Sequence, residues 1–317
     1  MEYRRLGNSD LEVSVICFGC WAIGGRGWGN DVDDRQSIAA IRRALDLGIN
    51  FFDTADVYGF GHSEELLAKA LGDRRKEVII ATKVGNRWDA SGRVWGDLSR
   101  RYILEAVENS LRRLQTDVID LYQVHRPDEN TPIQETMETL LELVKAGKVR
   151  YIGLSNQTPE QIREYLRYGP VVSLQPPLNL LYRYTEVQLL PLCQEENIGV
   201  IPYSPLARGL LTGKYEQPVS FPEGDFRRDY FLFEGKAFGR NIRIVQALKR
   251  YAAQFDRPIS HLALAWLLAH PAVTSAIVGA KRPEQIQETA AAYQWKLHQD
   301  ELKIIDRIVF SGGEYEP

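Results

Sequence analysis

The sequence lacks a long apolar run and an excess of charge of either sign. No stretch reaches the roughly 18 apolar residues that a membrane span needs, and Met1-Glu2-Tyr3-Arg4-Arg5 lacks the apolar core of a signal peptide. Lys and Arg number 39 and Asp and Glu number 42, which gives a net charge of −3. These absences argue against a membrane protein and against a partner of polyanions. We therefore predict a cytoplasmic protein that binds neither a membrane nor nucleic acid.

Cysteine is also scarce, since the chain has only Cys17, Cys20 and Cys193. An odd number this small does not build the disulfide framework of a small secreted domain. Cys17 and Cys20 have the C-x-x-C spacing of a zinc-binding pair, but they lie in or next to the apolar run 13–19 and no second pair completes a site. We predict buried structural thiols and no metal site.

What the sequence does contain is a regular alternation of short apolar runs and longer amphipathic stretches. This pattern predicts parallel strands joined by crossover helices. There are eight such runs, which is the number of strands in a closed (β/α)8 barrel, and we predict a single TIM-barrel domain over residues 1–317. The predicted strands are Val15–Phe18, Phe51–Asp53, Val78–Lys83, Val118–His125, Val149–Leu154, Val172–Gln175, Gly199–Pro202 and Ser275–Val278.

Two segments depart from the simple repeat. The opening segment, Tyr3–Val13, predicts a β-hairpin around Asn8-Ser9-Asp10. The connection from Ala207 to Gly239, which follows the seventh strand, is too long for a simple connector, and loops of such length are usually functional or disordered. Predicted helices include Asp34–Leu47, and Thr158 followed by Pro159 is typical of a helix start.

Polar side chains stand at or just beyond the carboxyl ends of several predicted strands. Asp53, Lys83 and His125 end strands, and Tyr58 follows five positions after Asp53. In a barrel these strand ends meet at the active-site mouth. A phenol beside a cation, a carboxylate that orients the cation and an imidazole suit proton delivery to a carbonyl oxygen, and we expect Lys83 to lower the pKa of Tyr58.

Each of these residues also has a purely structural interpretation, as a cap, a solvated strand end, a core histidine or a loop aromatic. An amine at a strand end can also form a Schiff base, as in barrel aldolases, so Lys83 has that alternative. The arrangement of all four groups at strand ends favours a shared catalytic role.

The segment Phe52-Asp53-Thr54-Ala55-Asp56-Val57-Tyr58-Gly59 closely resembles the signature of the aldo-keto reductase superfamily. The resemblance covers essentially the whole chain and continues through the segments 80–83, 120–125, 147–156 and 203–214. It implies that Asp53, Tyr58, Lys83 and His125 are the catalytic residues, with Tyr58 as the general acid in reduction. The subgroup is similar to the bacterial branch that also resembles potassium-channel β subunits.

The resemblance further implies a nicotinamide dinucleotide that lies across the barrel mouth without a Rossmann domain. Gly24-Gly25-Arg26-Gly27 indeed does not complete a dinucleotide fingerprint. Ser155, Asn156 and Gln175 would hold the carboxamide, and Tyr203 would stack on the nicotinamide ring. The other cofactor-binding residues implied are Cys20, Trp21, Asp53, Ser204, Pro205, Leu206, Arg208, Gly209, Lys214, Gly279, Lys281, Arg282, Gln285 and Glu288.

Cations in two of these segments suit the phosphates of the cofactor. Arg208 and Lys214 lie in the segment expected at the pyrophosphate. Lys281 and Arg282 come directly before a predicted helix start at Pro283, where they can neutralise a ribose 2′-phosphate. On this basis we predict NADPH as the cofactor. The alternative is that Lys281 and Arg282 are a solvated surface pair.

The function predicted from these features is NADPH-dependent reduction of small-molecule aldehydes or ketones. The alternative is a regulatory subunit that binds NADP(H) as a redox sensor for a protein partner, because such a protein can keep every residue named above. Substrate specificity is expected from loops that hold Trp21, Trp28, Trp88, Trp95 and the region Phe221–Phe238. The alternative for Trp88 and Trp95 is that they pack their loop onto the barrel. The physiological substrate and the oligomeric state are not indicated by the sequence.

Overall fold

Eight parallel strands form the central sheet of the structure, a computed structural model that describes residues 1–28 and 32–315. Neighbouring strands follow one another in chain order around the sheet. The backbone N–H of Thr274 donates to the carbonyl of Val200 at 2.8 Å, and that of Ile277 donates to Pro202 at 3.0 Å. These bonds join the last two strands, so the sheet closes into the predicted barrel.

The strands lie within two residues of their predicted bounds. Only the seventh is markedly shorter, and Pro202, which has no N–H to donate, lies just beyond its end. The strands are β1 Tyr3–Arg5, β2 Glu12–Ser14, β3 Ile16–Gly19, β4 Phe51–Asp53, β5 Ile79–Val84, β6 Asn86–Trp88, β7 Val94–Gly96, β8 Ile119–Val124, β9 Val149–Ser155, β10 Ser173–Gln175, β11 Gly199–Val200 and β12 Ala276–Gly279. The barrel consists of β3, β4, β5 and β8 to β12.

Helices cover the outside of the barrel, and their starts show the expected capping. At α5 the Thr158 side chain accepts from the Gln161 N–H, and the Gln161 side chain accepts from the Thr158 N–H, with Pro159 in the first turn. No helix within the described ranges is both long and apolar enough to cross a membrane. The helices are α1 Asp34–Asp46, α2 His62–Leu71, α3 Arg100–Leu114, α4 Ile133–Lys145, α5 Pro159–Tyr168, α6 Tyr184–Gln188, α7 Leu190–Glu195, α8 Gly235–Ala253, α9 Ile259–Leu268, α10 Pro283–Ala290 and α11 Gln299–Phe310.

The barrel interior is filled by alternate residues of its strands. Cys17, Phe51, Ala81, Leu121 and Ile277 belong to one buried cluster inside the barrel, while their chain neighbours pack in a second cluster against the helices. This is the two-residue period of a strand that is buried on both faces.

The N-terminal hairpin closes one end of the barrel. β1 and β2 pair antiparallel, which confirms the predicted hairpin, and its apolar side chains Leu6, Leu11 and Val13 belong to the interior cluster. The opposite mouth of the barrel, formed by the carboxyl ends of the strands, is therefore the one that remains open for a binding site.

Two parts of the chain differ from the sequence prediction. β6 and β7 form an antiparallel hairpin after β5 that was not predicted. The long connection after β11 ends earlier than predicted, because α8 already begins at Gly235 and contains Gly239. Phe233 and Phe238 pack edge to face with ring centroids 5.1 Å apart, and this contact stabilises the first turn of α8 where the glycines favour a loop.

The hairpin's role in the core can be tested with two matched substitutions. Val13→Ala removes two methyl groups from a side chain with no exposed surface. We expect this substitution to lower the free energy of unfolding by about 2 kcal/mol. Val187→Ala, at a side chain that is 70% exposed, should change it by less than about 0.5 kcal/mol. Urea denaturation followed by circular dichroism measures both, and equal effects would contradict the assignment of the hairpin to the core.

Candidate active site

The side chains predicted as catalytic meet at the open end of the barrel because of strand register. Phe51 and Ala81 point into the barrel, so Asp53 and Lys83, each two residues further along its strand, point the same way at the next level. His125 directly follows β8, and its N–H continues the ladder by donating to the Val84 carbonyl at 2.9 Å.

Lys83 is the centre of this arrangement. Its side chain is fully buried, and its Nζ donates to Asp53 Oδ1 at 2.7 Å, to the Thr54 carbonyl at 2.8 Å and to the Tyr58 hydroxyl at 3.1 Å. These three acceptors match the three protons of an ammonium. The Tyr58 hydroxyl is therefore held at hydrogen-bond distance from a buried cation.

The charge of Lys83 follows from two opposing effects on its pKa. Burial by itself lowers the pKa of Lys83, but the Asp53 carboxylate and the Tyr58 oxygen outweigh burial and raise it above its ordinary value. Lys83 is therefore an ammonium at neutral pH. A Schiff-base lysine must be a neutral amine when it attacks, so this environment disfavours the aldolase alternative.

The pKa of Tyr58 differs from the expectation. Burial raises the pKa of Tyr58, and the nearby Lys83 ammonium lowers it by less, so the net shift is upward. The prediction that Lys83 brings the phenol below its usual pKa is therefore wrong in its net direction, because the sequence shows the cation but not the burial. The Tyr58 phenol stays protonated at neutral pH and remains a hydrogen-bond donor.

His125 lies edge-on to Tyr58, with ring centroids 5.8 Å apart. Burial, and then the positive charges of Lys83 and Arg126, lower the pKa of His125 well below its usual value. The imidazole is therefore neutral at pH 7. Its Nδ1 is buried and finds no hydrogen-bond partner within the described residues. A neutral ring next to the phenol can donate one hydrogen bond to an oxygen in the cavity without bringing in a further charge.

Two glutamine side chains hold the second oxygen of the Asp53 carboxylate. The Nε2 of Gln123 and of Gln175 donate to Asp53 Oδ2 at 3.1 and 2.7 Å. Gln123 was not among the predicted site residues. The two-residue period of β8 carries the signal, because Gln123 lies between the inward-pointing Leu121 and the strand end.

A cavity of about 800 Å³ opens above these side chains. Most of the residues predicted to bind a cofactor line it. They are Trp21, Asp53, Ser155, Asn156, Gln175, Tyr203, Ser204, Pro205, Leu206, Arg208, Gly209, Lys214, Gly279, Lys281 and Gln285. Three others lie outside the lining: Cys20 is fully buried, Glu288 accepts a hydrogen bond from Ser260 Oγ at 2.7 Å, and Arg282 lies at the start of α10.

Polar groups at the ends of β9 and β10 form a fixed network on one wall. Ser155 Oγ donates to the Gln175 carbonyl at 2.8 Å, and Asn156 Nδ2 donates to Ser155 Oγ at 3.1 Å. The Tyr203 hydroxyl donates to Asn156 Oδ1 at 2.8 Å, which fixes the Tyr203 ring beside the cavity. Amide and hydroxyl groups next to a flat ring fit a carboxamide attached to an aromatic ring.

Cations surround the part of the cavity between β11 and α10. Arg208 lies 3.8 Å from the Tyr230 ring centroid and 5.4 Å from that of Trp21, and its buried Nε has no partner in the described part of the chain. Lys281 Nζ donates to the Trp28 carbonyl at 3.0 Å. Lys214 also lines this part. The positive charges and the partnerless Arg208 Nε fit the phosphates of a dinucleotide.

Aromatic rings from separate loops close over the cavity. Trp21 packs edge-on against Trp28 at 4.9 Å and beside Phe226 at 5.0 Å. A Cβ at Gly27, which has a φ of +74°, would lie 2.1 Å from the Phe226 ring, so only glycine allows this approach.

Only part of the aromatic region predicted to set specificity reaches the cavity. Phe221, Phe233 and Phe238 instead pack around Tyr215. Trp88 stacks on Phe60 beside the lining, with ring centroids 5.6 Å apart. Of the Phe221–Phe238 region, the lining includes Phe226 and Arg227.

The three cysteines are free and buried, as predicted. Burial raises the pKa of Cys193 to about 12, and it raises the pKa values of Cys17 and Cys20 well above the ordinary value. They are therefore structural thiols rather than nucleophiles. In residues 1–28 and 32–315, no group of three or more His, Cys, Asp or Glu side chains has the arrangement of a metal site.

This chain matches known proteins, in sequence and in structure, over almost its full length. The protein-family model described as "Aldo/keto reductase family" matches residues 15–309. The aldo-keto reductase YhdN of Bacillus subtilis is 40% identical over 312 residues, which are 98% of this chain and 94% of that protein. A probable voltage-gated potassium channel subunit beta of Arabidopsis thaliana is 36% identical over 305 residues, covering 92% and 91%. The structure of the glycerol dehydrogenase AKR11B4 from Gluconobacter oxydans is 36% identical with a TM-score of 0.91, covering 99% of this chain and 97% of that one.

The charge state of His125 gives a direct test of the site's electrostatics. Because its pKa lies well below the usual value of about 6.5, we expect its imidazole signals in NMR to show no titration midpoint between pH 6 and pH 8. The missing signals of a His125→Gln variant assign the resonance. A midpoint at or above pH 6.5 would contradict the buried, cation-flanked position of the ring.

Proposed function

The chain belongs to the aldo/keto reductase family, and from this membership we propose that it reduces aldehydes or ketones to alcohols with NADPH, Tyr58 acting as the general acid. The resemblance inferred from the motifs is confirmed, including the barrel fold and the similarity to potassium-channel β subunits. Proteins of this family are oxidoreductases that use nicotinamide cofactors. The observation that carries the proposal is the contact between the buried Lys83 ammonium and the half-buried Tyr58 hydroxyl.

The chemistry of the chain's own residues follows from this contact. A nicotinamide held by these residues would supply the hydride for the carbonyl carbon. The Tyr58 hydroxyl donates its proton to the carbonyl oxygen, and the negative charge left on Tyr58 lies 3.1 Å from the Lys83 ammonium, which stabilises it. Asp53 keeps Lys83 charged and in place. The neutral His125 ring donates a hydrogen bond to the same substrate oxygen and orients it.

The cavity walls support a role in holding the cofactor. Ser155, Asn156 and Gln175 would bind the carboxamide, and the Tyr203 ring, fixed by its bond to Asn156, would carry the nicotinamide on its face. Arg208 and Lys214 would bind the pyrophosphate, because they line the neighbouring part of the cavity.

The preference for NADPH rests on the segment before α10. Lys281 lines the cavity and Arg282 is the residue directly before the helix, so both side chains are near the end where the ribose would lie. Two cations at a helix N-terminus favour the extra phosphate of NADPH over the hydroxyl of NADH.

The similarity to a protein named as a channel β subunit favours one second function, a redox-sensing regulatory subunit. The same barrel would then bind NADP(H) as a redox sensor and regulate a protein partner. Rapid multiple turnover with small carbonyl compounds supports the enzyme. Very slow turnover with tightly retained NADP(H) and a specific partner supports the sensor.

Removal of the Tyr58 hydroxyl tests the proposed acid. We expect Tyr58→Phe to lower kcat for NADPH oxidation with an aldehyde by a factor of about 100 or more, since general-acid catalysis contributes that much. NADPH affinity, measured by fluorescence, should stay within about twofold, and Tyr184→Phe, at a side chain that is 57% exposed, is the matched control. Undiminished turnover in Tyr58→Phe would remove Tyr58 from the mechanism.

The cofactor preference is tested at Lys281. Loss of one charge-assisted contact to the 2′-phosphate should weaken NADPH binding in Lys281→Met about tenfold. NADH binding should change less than about twofold, because NADH lacks that phosphate. Lys303→Met, which removes a lysine at an exposed surface position, is the control. Titration calorimetry measures all four affinities, and equal losses for the two cofactors would contradict the assignment.

A further inference from the structure

The cavity extends beyond Tyr58 into a part that the proposed cofactor contacts do not use. This part, called here the distal pocket, is lined by Arg26, Val57, Phe60, Asn86, Gly92 and Val94. Its residues come from the loops after β3 and β4 and from the β6–β7 hairpin, whereas most of the proposed cofactor contacts follow β9 to β12. The distal pocket therefore lies on the other side of the reacting groups, where the rest of a substrate would extend.

One charged side chain, Arg26, belongs to the distal pocket, and it is held in place. Its guanidinium lies 4.2 Å from the centroid of the Phe60 ring. Phe60 in turn stacks on Trp88 of the β6–β7 hairpin, with the ring planes 16° apart. Stacking on the Phe60 ring restricts the conformations of the Arg26 side chain before a ligand binds. Less conformational entropy is therefore lost when Arg26 forms hydrogen bonds to a ligand.

The charge of Arg26 is not neutralised by the protein within the described ranges. Arg87 and Arg227, by comparison, pair with Asp97 at 3.0 Å and with Asp225 at 2.5 Å. The described cavity lining contains one acidic side chain, Asp53, and its charge is balanced by Lys83 at 2.7 Å. The distal pocket therefore has a positive potential that attracts an anion.

The walls between Tyr58 and Arg26 are mainly apolar. Val57, Phe60 and Val94 contribute hydrocarbon surface to the distal pocket. A molecule complementary to the cavity has a carbonyl group at the Tyr58 end, an apolar spacer along the apolar wall and an anionic group at the Arg26 end.

We propose that Arg26 is a specificity-determining residue that pairs with a carboxylate at the far end of the substrate, so that the preferred substrates are aldehydes carrying a carboxylate across an apolar spacer. The planar guanidinium matches a carboxylate through two parallel hydrogen bonds. This inference rests on the proposed carbonyl reduction, since it names the class of substrate for the same site.

Three aromatic aldehydes distinguish the effect of the substrate's charge on kcat/KM from the effect of its size. They are 4-formylbenzoate, its neutral methyl ester and benzaldehyde. In the wild type we expect kcat/KM for the carboxylate to exceed that for the ester about threefold to fivefold, as for one ion pair at an exposed arginine. The advantage should appear mainly in KM and should shrink as ionic strength rises.

Arg26→Met keeps the length of the side chain and removes the charge. It should abolish the advantage of the carboxylate and leave kcat/KM for benzaldehyde within about twofold. Arg93→Met is the matched control, because Arg93 also stacks on an aromatic ring of the hairpin, 5.9 Å from the Trp95 centroid, but does not line the cavity. Arg93→Met should keep the full advantage of the carboxylate.

The outcomes distinguish the two proposals. Turnover of benzaldehyde without any preference for the carboxylate, or with a preference that survives in Arg26→Met, overturns the role of Arg26 while carbonyl reduction stands. If no aldehyde is turned over, carbonyl reduction fails. The role of Arg26 is then decided by binding, from the quenching of tryptophan fluorescence by 4-formylbenzoate and its ester in the wild type and in Arg26→Met. Equal affinities in the wild type would overturn it.

Discussion

The buried ion pair between Lys83 and Asp53 holds the active site together. An isolated ammonium with no exposed surface is very costly, so Lys83 requires a carboxylate at contact distance and acceptors for each of its protons. Both oxygens of Asp53 are in use, one by Lys83 and the other by Gln123 and Gln175. Removing any partner would leave a polar group unsatisfied in the barrel, which explains why four different strands contribute to one small network.

Burial and this network together determine the charge of three titratable groups. Lys83 remains charged, while the phenol of Tyr58 and the imidazole of His125 remain neutral at pH 7. Burial, and then the Lys83 cation, lower the pKa of His125, and the cation stabilises a negative charge on Tyr58 when one forms. A protonated phenol beside a permanent cation is a donor that becomes stronger as negative charge develops on its acceptor, and this property suits the proposed role of Tyr58.

The loops at the mouth connect the two sides of the cavity. Lys281, on the side proposed for the cofactor phosphates, donates to the carbonyl of Trp28, and the Trp28 ring packs on Trp21 beside Tyr58. Arg208 spans the cavity in a similar way between Tyr230 and Trp21. Cations proposed to bind the dinucleotide thus also hold the aromatic wall, so the two binding regions share structural support.

Local patterns in the sequence were enough to predict the barrel, the N-terminal hairpin and the residues gathered at the strand ends. These follow from local signals, namely the two-residue period of the strands, helix starts such as Thr158-Pro159 and the motif around Tyr58. The β6–β7 hairpin and the early start of α8 were missed, because contacts such as Phe60 with Trp88 and Phe233 with Phe238 join residues by packing rather than by pattern.

The electrostatics and the shape of the cavity, in contrast, could be read only from the folded chain. The upward shift in the pKa of Tyr58, the hydrogen bond from Gln123 to Asp53 and the position of Arg26 over Phe60 each depend on burial and on side chains from different loops. Periodicity is encoded over a few neighbouring residues, whereas desolvation and charge pairing depend on what the folded chain brings together.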